Sequence, residues 1–279
     1  MAELPPAGKH EKPHTYVVQD RNNDEELQRL TIQDQAATSI MGGPLAEQAD
    51  PTIFHRVLDV GCATGGWAIE LAQRYPWMQV VGIDISERMI RYAQQRAEAA
   101  GVAERVSFQV MDALLRLDFP DNSFDLVNER ANFSYVRTTE WRKFLYRLQR
   151  VLRPSGVLRL TEPAGTGVAA EHASVLEQMV NMLFVALYKA GYLFEPTTTS
   201  IADHLEELVT QTQYQHIQRR EYTSVFGPTI ETPESRSFLE DMRYLFRTTR
   251  PFLEKYSGFQ GDYVALYQQA MQELAQPEC

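Results

Sequence analysis

The chain has 279 residues, a formal net charge of −10 and 23% charged residues. That length suffices for one large core or a core with an added subdomain. The acidic balance, with no basic run, argues against a nucleic-acid partner, because such a surface needs Lys and Arg to replace counterions along the phosphates. The two cysteines, Cys62 and Cys279, show neither metal-ligand spacing nor a disulfide framework, so the expectation is a reducing cytoplasmic setting and no metal.

In chain order, residues 1–22 are rich in proline and polar or small residues, which suits a mobile tail rather than a signal peptide. Over 23–52, Leu27, Leu30, Ile32, Ala36 and Ile40 recur at helical spacing before Gly42-Gly43-Pro44, which predicts a helical cap. Then Val57 to Val60, a short β-branched run, reads as a buried parallel strand entering the turn Gly61-Cys62-Ala63-Thr64-Gly65-Gly66 and at once a helix. The glycines permit positive φ and close backbone approach, and free N–H groups at the helix start suit a nucleotide-like ligand. Taken alone, this turn fits a dinucleotide dehydrogenase equally well.

The alternation continues: helix 65–75, strand 79–84 ending in Asp84, helix 87–100, strand 105–111 leading to Asp112, strand 124–128, helix 138–152 and strand 156–161. Strands alternating with helices of this length imply an α/β fold, a doubly wound and mostly parallel sheet with ligands at the carboxyl ends of the strands. After Pro163 the pattern changes to helices at 171–192, 201–211, 233–248 and 262–275 around a strand-like stretch from Tyr214 to Phe226. The apolar run Val175 to Phe194 is interrupted by Glu177, Gln178, Asn181 and Lys189, so it reads as a buried or lid helix and not as a membrane span.

The ordered motifs Val57-Leu58-Asp59-Val60-Gly61, Val81-Gly82-Ile83-Asp84, Val110-Met111-Asp112-Ala113, Phe124-Asp125-Leu126-Val127-Asn128 and Arg150-Val151-Leu152-Arg153-Pro154-Ser155-Gly156 resemble the class I S-adenosylmethionine-dependent methyltransferases over 53–163. The resemblance implies a Rossmann-like S-adenosylmethionine-binding core, with 164–279 forming the lid and the substrate-specificity region. It also implies that Asp59, Gly61, Ala63 and Gly65 form the methionine and ribose loop, that Asp84 with Ile85 holds the ribose, and that Met111, Asp112 and Ala113 meet the adenine. Asn128 and Arg130 then sit at the strand end facing the methyl group. The family usually has glycine where Ala63 stands, which is tolerable if φ there is negative. Tyr16 and Gln33 are candidates for reaching the cofactor from the cap; the alternative is that Tyr16 packs on the surface and Gln33 is solvated. The family often adds two antiparallel strands after the fifth, whereas one is visible here, leaving a strand hidden in 249–263, a shortened sheet, or completion by another subunit.

Methyl transfer needs alignment and desolvation, and a base only when the acceptor is protonated. Catalytic candidates are Glu162 after the fifth strand, His172 at the start of the lid, and Tyr135 after the fourth strand. Against each stands a plainer role: an ion pair of Glu162 with Arg130 or Arg159, a capping His172, an apolar wall at Tyr135. The lid helix is apolar nearly all round, which fits core packing, a greasy substrate or a homo-oligomer contact. Arg236, Arg243, Arg247 and Arg250 are read as a solvated face or an anion clamp. The reading is a methyltransferase acting on a small, largely apolar natural-product-like metabolite at oxygen, nitrogen or carbon. Its alternatives are another reaction on the same cofactor, such as cyclisation or decarboxylation, and a non-catalytic partner subunit.

Overall fold

The computed structural model describes residues 24–164, 175–224, 226 and 230–275. Its sheet has five parallel strands, β1 (Arg56–Val60), β2 (Gln79–Asp84), β3 (Val106–Val110), β4 (Phe124–Arg130) and β5 (Leu152–Thr161), in the order β3-β2-β1-β4-β5. The chain reverses its winding direction between β3 and β4, which opens a crevice beyond the carboxyl ends of the central strands. The expected doubly wound sheet is therefore present.

Helices α1 (Asp24–Ile40), α2 (Gly66–Arg74), α3 (Glu87–Ala99) and α4 (Trp141–Val151) are followed by α5 (Val175–Lys189), α6 (Ser200–Thr210), α7 (Pro233–Thr248), α8 (Arg250–Tyr256) and α9 (Tyr263–Glu273). Local signals set their starts: Ser86 caps α3 by accepting from the Met89 N–H, Thr232 caps α7 ahead of Pro233, and Asp262 caps α9. α2 and α3 cover one face of the sheet, where Val57, Val80 and Leu126 meet Trp67, Leu71, Ile90 and Ala93. α4 and α5 cover the other, where Leu58, Val60 and Val127 meet Phe144, Leu148 and Leu183.

Two expectations need correction. The stretch 214–224 is irregular, because His216 at φ +57 interrupts an extended run and no strand among the described residues pairs with it. No strand is hidden in 249–263, since Pro251 sits in the first turn of α8. The lid helix α5 is apolar all round because the sheet face and cavity lie on one side and α8 and α9 on the other. Glu273 of α9 accepts the Val175 and Leu176 N–H groups at 2.9 and 2.8 Å, tying down the start of α5. α1 packs on α7, and its most buried residues are polar: Glu26, Arg29 and Thr38. Arg29 there bonds Glu26 at 2.7 Å and Asp241 of α7 at 3.2 Å. No helix among the described residues is long and apolar enough to cross a membrane.

Candidate active site

β1 runs into a turn that takes positive φ at Gly61 (+67°), Ala63 (+46°) and Gly65 (+72°). A Cβ at Gly65 would lie 2.6 Å from the Phe108 ring, so the turn closes only on glycine there. The Cys62 N–H donates to the Ile83 carbonyl at 2.9 Å and the Gly65 N–H to the Cys62 carbonyl at 2.8 Å. Arg96 of α3 pins the far side by donating to the Thr64 carbonyl at 2.8 Å. The favourable condition set for Ala63 fails: its φ is positive, and an L-residue there costs about 1–2 kcal/mol that glycine would not. Its N–H is held by Asp84, whose two carboxylate oxygens accept from Ala63 at 3.1 Å and Ser86 at 2.7 Å.

A polar row crosses the sheet on the α2 side. Asp59, Asn128 and Arg159 are register neighbours on β1, β4 and β5. The Asn128 amide donates to Asp59 at 2.7 Å and accepts from Arg159 at 2.7 Å, and Arg159 reaches on to Glu47 at 2.7 Å. Burial pushes the Asp59 pKa up to about 7 against the pull of Asn128 and Arg159. Burial also acts to raise Glu47, but the Arg159 bond and charge prevail and its pKa falls. Glu47 lies in the segment after α1, where Trp67 Nε1 donates to the Pro44 carbonyl at 3.0 Å, so this segment is locked onto the core from two sides.

Strand alternation sends Glu129 to the opposite face from Asn128 and Arg130. Glu129 is fully buried and accepts from the Tyr135 hydroxyl at 2.8 Å, while its Oε2 has no partner among the described residues. Glu162, after β5, pairs with neither Arg130 nor Arg159. It accepts the N–H groups of Asn132 (2.7 Å) and Phe133 (3.3 Å), so its first structural effect is to hold the turn after β4. Burial raises the pKa of both carboxyls, Glu162 to about 8 against the pull of its backbone N–H bonds, and the charge of Glu162 raises Glu129 further. Burial and the neighbouring acids likewise raise Tyr135. Arg130 instead turns to α1, pairing with Asp34 and donating to Thr38 at 3.0 Å. Burial lowers its pKa to about 9, so it remains a cation at neutral pH.

These groups border a cavity of about 1790 Å³, larger than the several hundred Å³ of an ordinary small-molecule site. Asp59, Gly61 and Ala63 from the turn, Asp84 and Ile85 after β2, and Met111, Asp112 and Ala113 after β3 all line it. Gln33, Arg130, Tyr135 and Glu162 line it as well. Gly65 shapes the turn from behind, and Asn128 is enclosed in the polar row without reaching the cavity. Tyr16 and His172 lie outside the described residues. Arg236, Arg243, Arg247 and Arg250 are exposed, with Arg247 paired to Glu25 and Arg250 to Glu254. Asp34 went unnoticed in the sequence; it is an ordinary polar helical position, and nothing local distinguishes it. On the far wall, Val180, Leu183, Phe184 and Leu187 of α5 give an apolar surface.

The chain is 31% identical over 219 residues to the 27-O-demethylrifamycin SV methyltransferase of Amycolatopsis mediterranei, an alignment covering 70% of this chain and 76% of that protein. The model for a methyltransferase domain matches residues 57–156. The chain belongs to the class I S-adenosylmethionine-dependent methyltransferases. It is also 40% identical over 115 residues to the demethylmenaquinone methyltransferase of Deinococcus radiodurans, covering 40% of this chain but only 46% of that protein, so the chain spans about half the length of several curated relatives it matches. A solved structure of a putative O-methyltransferase from Nostoc punctiforme superposes with a TM-score of 0.50 at 17% identity, covering 67% of this chain and 54% of that one. That likeness is one of fold.

The residues of this methyltransferase fit its family's cofactor on chemical grounds. Besides its carboxylate and the adenine ring nitrogens, the cofactor presents donors and positive charge: two ribose hydroxyls, an adenine amino group, an α-ammonium and a sulfonium. The cavity wall presents acceptors, with Asp59, Asp84 and Asp112 at three successive strand ends. Asp84, which braces the turn through Ala63 and Ser86, also lines the cavity at the end of β2.

Proposed function

We propose that this methyltransferase transfers a methyl group from S-adenosylmethionine to a small, largely apolar metabolite. The observation that carries the reading is the continuity of one cavity from the acid-lined strand ends to the apolar face of α5. When bound, the cofactor supplies an electrophilic methyl group on positively charged sulfur. In this reading Asp84 accepts from the ribose hydroxyls, Asp112 from the adenine amino group, and Asp59 and Asp34 lie where an α-ammonium needs acceptors. Ile85 and Met111 sandwich the base, and Gln33 and Arg130 close the cap side.

The acceptor occupies the space between the turn and Leu183, Phe184 and Leu187, with water kept out by α5 and α7. Glu162 holds the turn that presents Tyr135 and, with its pKa raised to about 8, becomes able to accept a proton from a hydroxyl or amine acceptor as the pH rises toward and past that value. The test is calorimetric titration with S-adenosylhomocysteine, followed by screening apolar hydroxyl and amine compounds for formation of S-adenosylhomocysteine in step with methylated product. Binding together with stoichiometric product supports the reading. Cofactor binding with turnover of an acceptor that gains no methyl group replaces it with a different reaction on the same fold.

A further inference from the structure

The Tyr135 hydroxyl has one proton to give, and it is committed. It donates to Glu129 Oε1 at 2.8 Å, inside the protein, on a carboxyl with no solvent exposure. The same oxygen stands over the cofactor turn, where a Cβ added to Gly61 would come within 3.3 Å of it. With the proton turned inward, the hydroxyl offers only lone pairs to the cavity that Tyr135 lines. Whatever faces it from the turn must therefore be a donor or a cation.

The charges around it agree. Tyr135 feels Glu129, Glu162 and Asp84, while Glu129 feels Glu162 and Asp59. Glu162 is held by the backbone N–H groups of Asn132 and Phe133. The two nearby guanidiniums are engaged elsewhere, Arg130 with Asp34 and Thr38, and Arg159 with Asn128 and Glu47. A hydroxyl acceptor set among buried acids is an environment for positive charge.

We infer that Glu129 is a positioning residue which, by accepting the hydrogen bond from the Tyr135 hydroxyl, aims that oxygen's lone pairs at the cavity and makes the site favour the cationic sulfonium cofactor over its neutral thioether product. The inference rests on the proposed cofactor reading and adds to it a means of product release: the methyl group leaves with the positive charge that held the ligand. The raised pKa values of the acid pair give a second signature. A cation beside the pair favours its ionised form, so affinity for a cationic ligand rises with pH between about 6 and 8, whereas affinity for the thioether does not.

The experiment uses two unreactive probes, S-adenosylhomocysteine as the thioether and sinefungin, whose amine stands as a cation where the methylsulfonium would be. Calorimetric titrations of wild type, Glu129→Gln and Tyr135→Phe are run at pH 6, 7 and 8. The wild type is expected to bind sinefungin about tenfold more tightly than S-adenosylhomocysteine at pH 8, the equivalent of one charge-assisted contact. Each variant is expected to lose most of that ratio and its pH slope while keeping its thioether affinity within about threefold. A merely structural role lowers both affinities together and overturns the inference, as does an unchanged ratio in folded Glu129→Gln and Tyr135→Phe. If folded wild type binds neither probe, the cofactor reading falls and this inference with it; if it binds both alike, only this inference falls.

Discussion

Replacing Asp84 by alanine separates two jobs that the structure gives to one carboxylate. Its oxygens brace the turn by accepting from Ala63 (3.1 Å) and Ser86 (2.7 Å), and the residue lines the cavity. Each bond to a charged acceptor contributes about 1.5–3 kcal/mol when buried, and Asp84 is only half-buried, so loss of the two backbone bonds is expected to cost about 2–4 kcal/mol of stability. For a chain of this size that lowers Tm by roughly 5–15 °C. The ribose contacts add a separate loss of about 1.5–3 kcal/mol in binding, ten- to a hundred-fold or somewhat more.

Asp84→Asn is the informative companion. One oxygen remains for Ser86, but the new amide meets the Ala63 N–H donor to donor, so its stability is expected to fall between wild type and Asp84→Ala while most of the ribose affinity is lost. Urea denaturation and calorimetric titration with S-adenosylhomocysteine read the two quantities independently. A folded Asp84→Ala with wild-type Tm would refute the bracing role. Unchanged affinity would refute the ribose assignment.

Ala63→Gly is expected to stabilise the protein by about 0.5–1 kcal/mol, because relief of the left-handed alanine exceeds the extra chain entropy of glycine; a lower urea midpoint contradicts this. Asn128→Ala strips Asp59 of its donor and Arg159 of an acceptor, for an expected loss of about 3–5 kcal/mol, and a loss below about 1 kcal/mol in urea titration would show the row to be dispensable. Stability is expected to fall as pH rises from 5 to 8.5. Asp59, Glu129 and Glu162 have folded pKa values above their unfolded ones, so the native state holds more protons across that window and loses the advantage as they ionise. Thermal melts across the range check it, and a Tm that climbs toward pH 8.5 rejects the burial of these acids.

The sheet was legible because its strands are short β-branched runs and its cavity-lining acids, Asp59, Asp84 and Asp112, stand at strand ends where chain direction and alternation leave little choice. Alternation also required Glu129 and Arg130 to part company, but which of them belonged to which face depended on the register with β1 and β5. The resemblance directed attention to Asn128 as a cofactor residue, while the fold encloses it between Asp59 and Arg159, partners that are distant in sequence and invisible to spacing. Glu162 similarly looked free to pair with an arginine, yet it found two backbone N–H groups instead. Helix α1 was readable from its apolar period, but Leu30 and Ile40 of that period line the cavity, while polar Glu26 and Arg29 are buried because Arg29 pairs with Glu26 and with Asp241 of α7. The strand expected at 214–226 had suitable residues, but its described part finds no strand to pair with among the described residues.

The union of α1 with α7 has a consequence for how the protein is made. Arg29 and Asp241, and likewise Gln28 and Glu240, touch across a separation of 212 residues. On the ribosome the first helix emerges early and waits, while the parallel sheet it will cover completes itself around β5. Only when α7 has been synthesised can Arg29 exchange water for Asp241, so the roof over the cleft is fastened late. A nascent chain thus passes through a stage in which the nucleotide-sized hollow is already shaped and still open to the cell, and a ligand captured at that moment would help draw the two distant helices together.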